Sequence, residues 1–184
     1  MKKAVCYLSL LALFLAGSCT FDYGEGTSSN DHLPDLVMKD VEYVRVRSAD
    51  PIAWFHADQA ERYERQGIMK LENITFEQYN ERGEETNIYG KAGNAVIQLS
   101  SADIFMDNGV IVEVKSEDII LDTYQLEWKD EDRLLSAGEG REVNIYRENG
   151  TRLTGRGFNA DARRRSWGFS GSIRGTYIHE DTDE

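Results

Sequence analysis

Apolar and polar residues alternate with a period of two along most of the chain from Val41 onward, the pattern of strands with one buried face. Only Ala57 to Arg65 carries a possible helical pattern, and that segment is short and charged. Turn signals recur about every ten residues, which favours an all-β domain over alternating strands and helices. The alternating runs are 41–47, 74–79, 95–100, 104–106, 110–114, 143–146 and 166–177.

A weak repeat accompanies these runs, in which an aromatic residue is followed by acid, amide and glycine residues. It occurs at 79–83, 105–109 and 146–150. Each copy is predicted to be a turn between strands, and Asn108-Gly109 is a strong hairpin signal. Repeated hairpins along one axis indicate an elongated stack of strands more than a compact barrel.

One run breaks the period. Leu121 and Thr123 share a parity that Leu126 and Trp128 do not continue, because the spacing slips by one residue. All four can face inward only if a bulge or corner lies near Tyr124-Gln125. Corners of this kind let a sheet curl over a trough.

The first residues predict export and anchoring. Met1-Lys2-Lys3 precedes an apolar run that ends in small residues, which is typical of a signal peptide covering residues 1–18. Cys19 directly follows Ala16-Gly17-Ser18, as in the lipobox of bacterial lipoproteins. Lipidation there would anchor the protein stably through acyl chains. Residues 19–32 then form a flexible tether rich in Gly, Ser and acids. The alternative is an ordinary secreted protein.

Composition narrows the possible partners. The chain holds 33 acidic and 21 basic residues, a net charge of −12 that becomes −14 once Lys2 and Lys3 leave with the signal. This charge disfavours nucleic acid, whose binding depends on neutralising phosphates. Cys6 is removed and Cys19 modified, so disulfides and zinc–thiolate sites are excluded.

No pattern of catalytic chemistry is present. The histidines, His32, His56 and His179, lack metal-ligand spacing, and no nucleophile elbow or phosphate loop occurs. Acidic pairs such as Glu84-Glu85 are interpreted as solvated loop charges. The sequence therefore predicts a protein that is not an enzyme and needs no metal or cofactor.

Residues 121–175 resemble the LptC/LptA (OstA-like) family of periplasmic lipopolysaccharide-transport proteins, the LptC branch best. Matches to its N-terminal part, around Phe55 and Ile74, are looser. One departure is a lipobox where many members have an N-terminal transmembrane helix. The residues that carry the resemblance are Leu121, Thr123, Leu126 and Trp128; Leu134-Leu135-Ser136; Val143, Ile145 and Arg147; Gly150, Leu153, Gly155, Gly157-Phe158 and Ala160-Asp161; and Trp167, Phe169, Gly171, Ile173 and Gly175.

The resemblance implies a half-open antiparallel β-jellyroll (β-taco) of two facing sheets over residues 33–178, followed by an acidic tail at 179–184. Its apolar trough would hold the acyl chains of lipopolysaccharide or another glycolipid. Its open ends would join LptA-like jellyrolls and the LptF/LptG-like jellyrolls of an inner-membrane ABC transporter. The protein would be periplasmic and lipid-anchored to the inner membrane. Common parity predicts a trough lined by Ile74, Phe76, Ile97, Leu99, Leu121, Leu126, Val143, Ile145, Phe158, Phe169 and Ile173.

Two alternatives remain. The same side chains could form an ordinary sandwich core, and the protein could be a structural envelope lipoprotein that pairs strands without carrying lipid. Residues 141–174 hold eight arginines against three acids, so the C-terminal edge could dock an acidic partner or glycolipid phosphates. The alternative is a solvated turn at Arg163-Arg164-Arg165 together with unrelated strand charges. The residues predicted at this partner edge are Trp167, Phe169, Ile173, Arg174 and Tyr177.

A first prediction concerns the anchor. Cys19→Ala should leave the precursor uncleaved or release unlipidated protein, because the alanine offers no thiol to acylate. Metabolic labelling with an alkyne fatty acid, followed by membrane fractionation, measures this. A variant that still carries an acyl chain on the membrane would contradict lipidation at Cys19.

Overall fold

The structure is a computed structural model that describes residues 32–80, 85–138 and 140–178. Apart from His32, these residues lie in one compact unit that begins at Leu33. The predicted signal peptide, Cys19, nearly all of the tether and the acidic tail lie outside the described residues.

The described chain is all-β, as its alternation predicts, with one short 3-10 turn at Lys115–Glu117. Its twelve strands form one antiparallel sheet in which sequence neighbours pair. The strands are β1 Leu36–Arg47, β2 Asp50–Tyr63, β3 Ile68–Tyr79, β4 Thr86–Gln98, β5 Ile104–Val114, β6 Ile119–Lys129, β7 Leu134–Ser136, β8 Glu142–Tyr146, β9 Arg152–Arg156, β10 Phe158–Asp161, β11 Ser166–Phe169 and β12 Ile173–Thr176.

The sheet divides at β6. One half of β6 pairs with β8, which leads to β9 and β12, while the other half pairs with β7, which leads to β10 and β11. We call the two sides the β8 arm and the β7 arm. Strands β1 to β6 run through both arms. The two layers that the sequence predicts are therefore the two arms of one hydrogen-bonded antiparallel sheet.

The arms meet along a line of backbone irregularities, which we call the crease. Asp40 in β1 and Asn73 in β3 have φ of 52° and 50°, and Asn108-Gly109 in β5 has φ of 64° and 86°. Pair registers flanking these residues place Asp58 and Gly93 on the same line. Gly157, with φ of 68°, continues it between β9 and β10. Asn, Asp and Gly tolerate this left-handed backbone best.

Crossing the crease shifts the inward parity of a strand by one residue. Leu121 and Thr123 are buried on one side of Tyr124-Gln125 and Leu126 on the other, so the predicted corner is confirmed. The same shift explains why the possible helix at Ala57–Arg65 is wrong. Ala57 and Ala60 are both buried, but their spacing of three residues comes from the crease inside β2 and not from a helical turn.

Asn108-Gly109 is not a hairpin, which corrects another prediction. It lies inside β5, where the register against both neighbouring strands shifts. The positive φ values that a tight hairpin needs also suit a bulge, so the dipeptide alone cannot distinguish them. The predicted turn at 146–150 is confirmed between β8 and β9, where the Arg147 N–H donates to the Thr151 carbonyl at 3.0 Å.

Both arms contribute to one core. Ala60 and Leu126 in the β7 arm and Val110 and Val143 in the β8 arm are all 0% exposed and belong to one cluster of contacting side chains. A sheet open to water on that face could not bury them so completely. The two arms therefore fold toward each other, with the crease at the bottom of the fold.

The crease generates a stability prediction. A Cβ on Gly93 would lie 2.7 Å from the Asn108 carbonyl oxygen, a backbone atom that cannot move aside without disturbing the bulge. Gly93→Ala should therefore destabilise the domain by about 1–3 kcal/mol. Gly168→Ala is the matched control, because nothing lies within 4 Å of the position of its Cβ. Urea unfolding compares the two, and equal stability would contradict the steric role of Gly93.

Candidate functional site

The inner face of the folded sheet is built from rows of side chains that run across the strands in register. We name each row by its position between the crease and the open lips of the arms. The β8 arm has three rows. Its crease row is Val41, Ala57, Ile74, Ala92, Val110, Thr123, Val143, Gly155 and Ile173. Its middle row is Tyr43, Phe55, Phe76, Gly90, Val112, Leu121, Ile145, Leu153 and Gly175, and its lip row is Arg45, Ala53, Gln78, Ile88, Val114 and Ile119. In the β7 arm, the crease row is Met38, Ala60, Leu71, Ala95, Met106, Leu126, Ala137, Phe158 and Phe169, and the lip row is Leu36, Arg62, Met69, Ile97, Ile104, Trp128, Leu135, Ala160 and Trp167.

Burial falls from the crease toward the lips. Most residues of the crease rows are buried, as are Leu121 and Ile145 in the middle row. The apolar members of the lip rows, such as Ile97 and Val114, are only partly buried and pack against the core. The inner face is therefore a groove with a packed floor and partly exposed apolar walls.

Most of the predicted trough residues lie in these rows. Six of them are buried in the core, and Phe76, Ile97 and Phe169 are partly buried against it. The buried six are Ile74, Leu121, Leu126, Val143, Ile145 and Phe158.

Two of the predicted trough residues lie outside the core. Leu99 is 40% exposed and follows the end of β4, so the strand parity that selected it no longer applies. Ile173 pairs with Gly155 in the crease row, but it lies on the outermost strand and is 54% exposed. Both are therefore left out of the groove floor.

The sequence patterns also missed part of the floor. Val110, Val112 and Met106 are buried, and Tyr43 and Phe55 form an aromatic wall with Phe76 at the β1 end. The ring centroids are 6.0 Å apart for Tyr43–Phe55 and 6.2 Å for Phe55–Phe76. These floor residues could have been found from the sequence by looking in each long strand for the same parity shift that identifies the corner in β6.

Glycines make room for two aromatic rings of the groove. The Phe76 ring covers Gly90 on the next strand, so that a Cβ there would lie 2.0 Å from its Cζ. At the other end, the Phe169 ring covers Gly155, where a Cβ would lie 2.5 Å from its Cδ1. Phe169 also packs edge-on against Phe158 and Trp167. These contacts keep both rings against the floor of the groove.

A polar network holds Trp128 in the lip row of the β7 arm. Its Nε1 donates to Asp130 at 3.1 Å, and the Asp130 N–H donates to the Asp103 carboxylate at 3.0 Å. This N–H, together with the Lys129 ammonium 3.2 Å from Asp103, holds the pKa of Asp103 below its ordinary value. The Arg133 guanidinium lies 5.0 Å from the centre of the Trp128 ring. The lip is therefore anchored at this point by the turn between β6 and β7.

Within the residues that the structure describes, the sheet has a free edge at each end. At one end, β2 is the described strand that pairs with β1, and β1 exposes apolar residues such as Tyr43 and Val46. At the other end, the described partner of β11 is β10 and that of β12 is β9. Four of the five predicted partner-edge residues are exposed there, namely Trp167, Ile173, Arg174 and Tyr177, whereas Phe169 packs inward.

The described residues include no group of three or more His, Cys, Asp or Glu side chains that could hold a metal ion. Within the same residues, no helix has the length and apolar character needed to cross a membrane.

Comparison with known proteins gives the fold from a solved structure and the family from a family model. No curated protein matches the chain. Among solved structures, it is similar to LptH, the LptA homologous periplasmic component of the lipopolysaccharide transport device from Pseudomonas aeruginosa, with a TM-score of 0.53 and 11% identity. The similarity covers 69% of this chain and 95% of that one. At this identity it shows the fold alone, which is an LptA-like β-jellyroll.

The family model for lipopolysaccharide assembly, LptC-related, matches residues 4–178. Proteins of this family are periplasmic or associated with the inner membrane, and they are transport components rather than enzymes, so the prediction of a non-enzyme is confirmed. The chain, with its single creased sheet and apolar groove, belongs to the LptC-related family of lipopolysaccharide assembly.

Proposed function

We propose that this protein is a lipid-anchored periplasmic carrier that holds the acyl chains of lipopolysaccharide, or of a related glycolipid, in its groove. It passes them from an inner-membrane ABC transporter toward the outer membrane. The observation that carries the proposal is the graded burial of the inner face. An ordinary sandwich core would be closed on both sides, whereas the lip rows here leave apolar side chains such as Met69, Ile97 and Ile104 partly in contact with water.

Acyl chains suit these lips for a physical reason. Each methylene moved from water onto an apolar wall contributes about 0.8 kcal/mol. The partly exposed walls of the two arms give an acyl chain two surfaces to contact, while one side of the acyl chain stays accessible. Such a groove binds an acyl chain without enclosing it. A protein that must release its cargo to the next component requires this kind of binding.

The alternative is a structural envelope lipoprotein that uses its free edges and carries no lipid. The two exposed edges support either function, so they do not distinguish them. Mass spectrometry of protein purified from membranes does. A bound acyl-containing molecule released only on denaturation is expected for the carrier, and protein free of lipid would favour the structural alternative.

Site-specific photo-crosslinking tests the groove itself. Crosslinkers at Phe76, Ile145 and Phe169 should capture lipid, whereas those at Gln98 and Asn144, on the outer face, should not. The sharpest pair is Ile97 and Gln98, adjacent residues of β4 that point to opposite faces. Circular dichroism must first show that the Ile145 variant folds, since this side chain is 1% exposed. Equal capture on both faces would contradict the groove assignment.

The free edges are expected to receive neighbouring jellyrolls by strand addition. A crosslinker at Arg174 in β12 should capture an LptA-like partner, because β12 offers an unpaired backbone edge among the described residues. The matched position is Val44 in β1, 48% exposed at the opposite edge. Capture of that partner at Val44 but not at Arg174 would assign its docking edge to β1.

A further inference from the structure

Charge is distributed unequally between the two faces of the sheet. Acidic residues outnumber basic ones 33 to 21 in this chain. Yet none of the rows that form the inner face contains an acidic residue. The charged members of those rows are two arginines, Arg45 in the lip row of the β8 arm and Arg62 in the lip row of the β7 arm.

The two arginines lie on neighbouring strands at the β1 end of the groove, Arg45 on β1 and Arg62 on β2. Arg45 pairs with Ala53 across β1 and β2, and it follows Tyr43, whose ring contacts Phe55 on the inner face. Arg62 lies between Leu36 and Met69. Each lip therefore carries one guanidinium beside apolar side chains, and both arginines are exposed.

Both guanidinium groups can accept an anionic ligand. Arg45 makes no ion pair within the part of the chain that the structure describes. Arg62 pairs with Glu64 at 3.5 Å, but both side chains are well exposed, so this pair contributes little and exchanges readily. Two further arginines lie beyond these rows: Arg47 lies opposite Asp50 in register, and Arg147, at the other end of the sheet, is 3.9 Å from Asp118.

We propose that Arg45 and Arg62 form a binding site for the phosphate groups of an amphiphile whose acyl chains lie in the groove. This inference rests on the proposed function. A phosphate cannot follow its chains onto the apolar floor, because burial of an unpaired charge is too costly. It must stay at the lips, where an arginine can lay its aliphatic stem along the wall and keep its guanidinium in water. Guanidinium groups grip phosphate bidentately.

The absence of acids from the inner face has the same explanation. A carboxylate in the groove would repel an anionic headgroup and would itself be desolvated by the acyl chains. The acidic residues of the described strands lie outside these rows, and Glu64, which pairs with Arg62, lies in the turn after β2. The two charged residues of the rows are both cations, one on each lip. An anionic headgroup explains this placement, whereas a neutral headgroup does not.

The experiment separates the phosphate site from the groove. Two ligands compete with a neutral fluorescent alkyl glycoside for the wild-type protein: lipopolysaccharide and its enzymatically dephosphorylated form. The variant is R45Q/R62Q. The control is R141Q/R152Q, which removes the same charge from exposed arginines that lie over Tyr124 and Tyr146.

Wild-type and control proteins should prefer the phosphorylated form about tenfold, and R45Q/R62Q should lose this preference while it binds the neutral glycoside unchanged. The preference should weaken in 0.5 M salt, because exposed charges are screened. Phosphatidylglycerol as a third competitor separates a glycolipid phosphate from any lipid phosphate, and competition by either supports the site. A double variant that keeps the preference, or loses neutral binding equally, would overturn the site. A wild-type protein that binds no alkyl probe would instead refute the groove itself, and with it the site.

Discussion

The crease is the constraint on which the rest of this structure depends. A single antiparallel sheet can enclose a core only if it folds back on itself, and here each long strand bends at one aligned position. Residues that accept a left-handed backbone, such as Asn73 and Gly157, make the bend possible. Because the bend also shifts the side-chain parity by one residue, both halves of a strand direct apolar residues to the same interior. A strand without the shift would turn one arm's apolar face to water.

The groove follows from this geometry. Burial is most complete beside the crease, where Val110, Leu126 and Val143 are 0% exposed, and it falls toward the lips, whose apolar residues are partly buried. Small residues let large rings lie against the floor, as Gly90 does for Phe76 and Gly155 for Phe169. One sheet therefore supplies both a stable core and, at its lips, partly exposed apolar side chains.

The placement of charge adds a second layer of organisation. The outer face carries ion pairs such as those of Glu142 with Arg156 and Arg174, at 3.8 and 3.2 Å. Their contribution to stability is small because they are exposed. Their importance lies in where they are: keeping the acids outside leaves an inner surface that does not repel an anionic lipid. In the proposed carrier, this placement of charge bears on which headgroups the groove binds more than on the stability of the sheet.

The sequence alone determined much of this protein. Period-two alternation established the all-β class, and the motifs around Trp128 and Phe158 were enough to indicate the family. The slip between Thr123 and Leu126 predicted one corner correctly. In β6 the slip lies among large apolar residues, Leu121, Leu126 and Trp128, so the parity change is visible. In β2 the equivalent pair is Ala57 and Ala60, which resembles a helical spacing.

Only the tertiary structure decided what these local signals mean. Asn108-Gly109 favours positive φ in a hairpin or in a bulge alike, and pairing with β4 and β6 selected the bulge. Nothing in the local sequence states that the irregularities of separate strands align into one crease, because alignment depends on register between residues distant in sequence. For the same reason, Arg45 and Arg62 are ordinary surface arginines in the sequence, and only the folded sheet brings them to the facing lips of one groove.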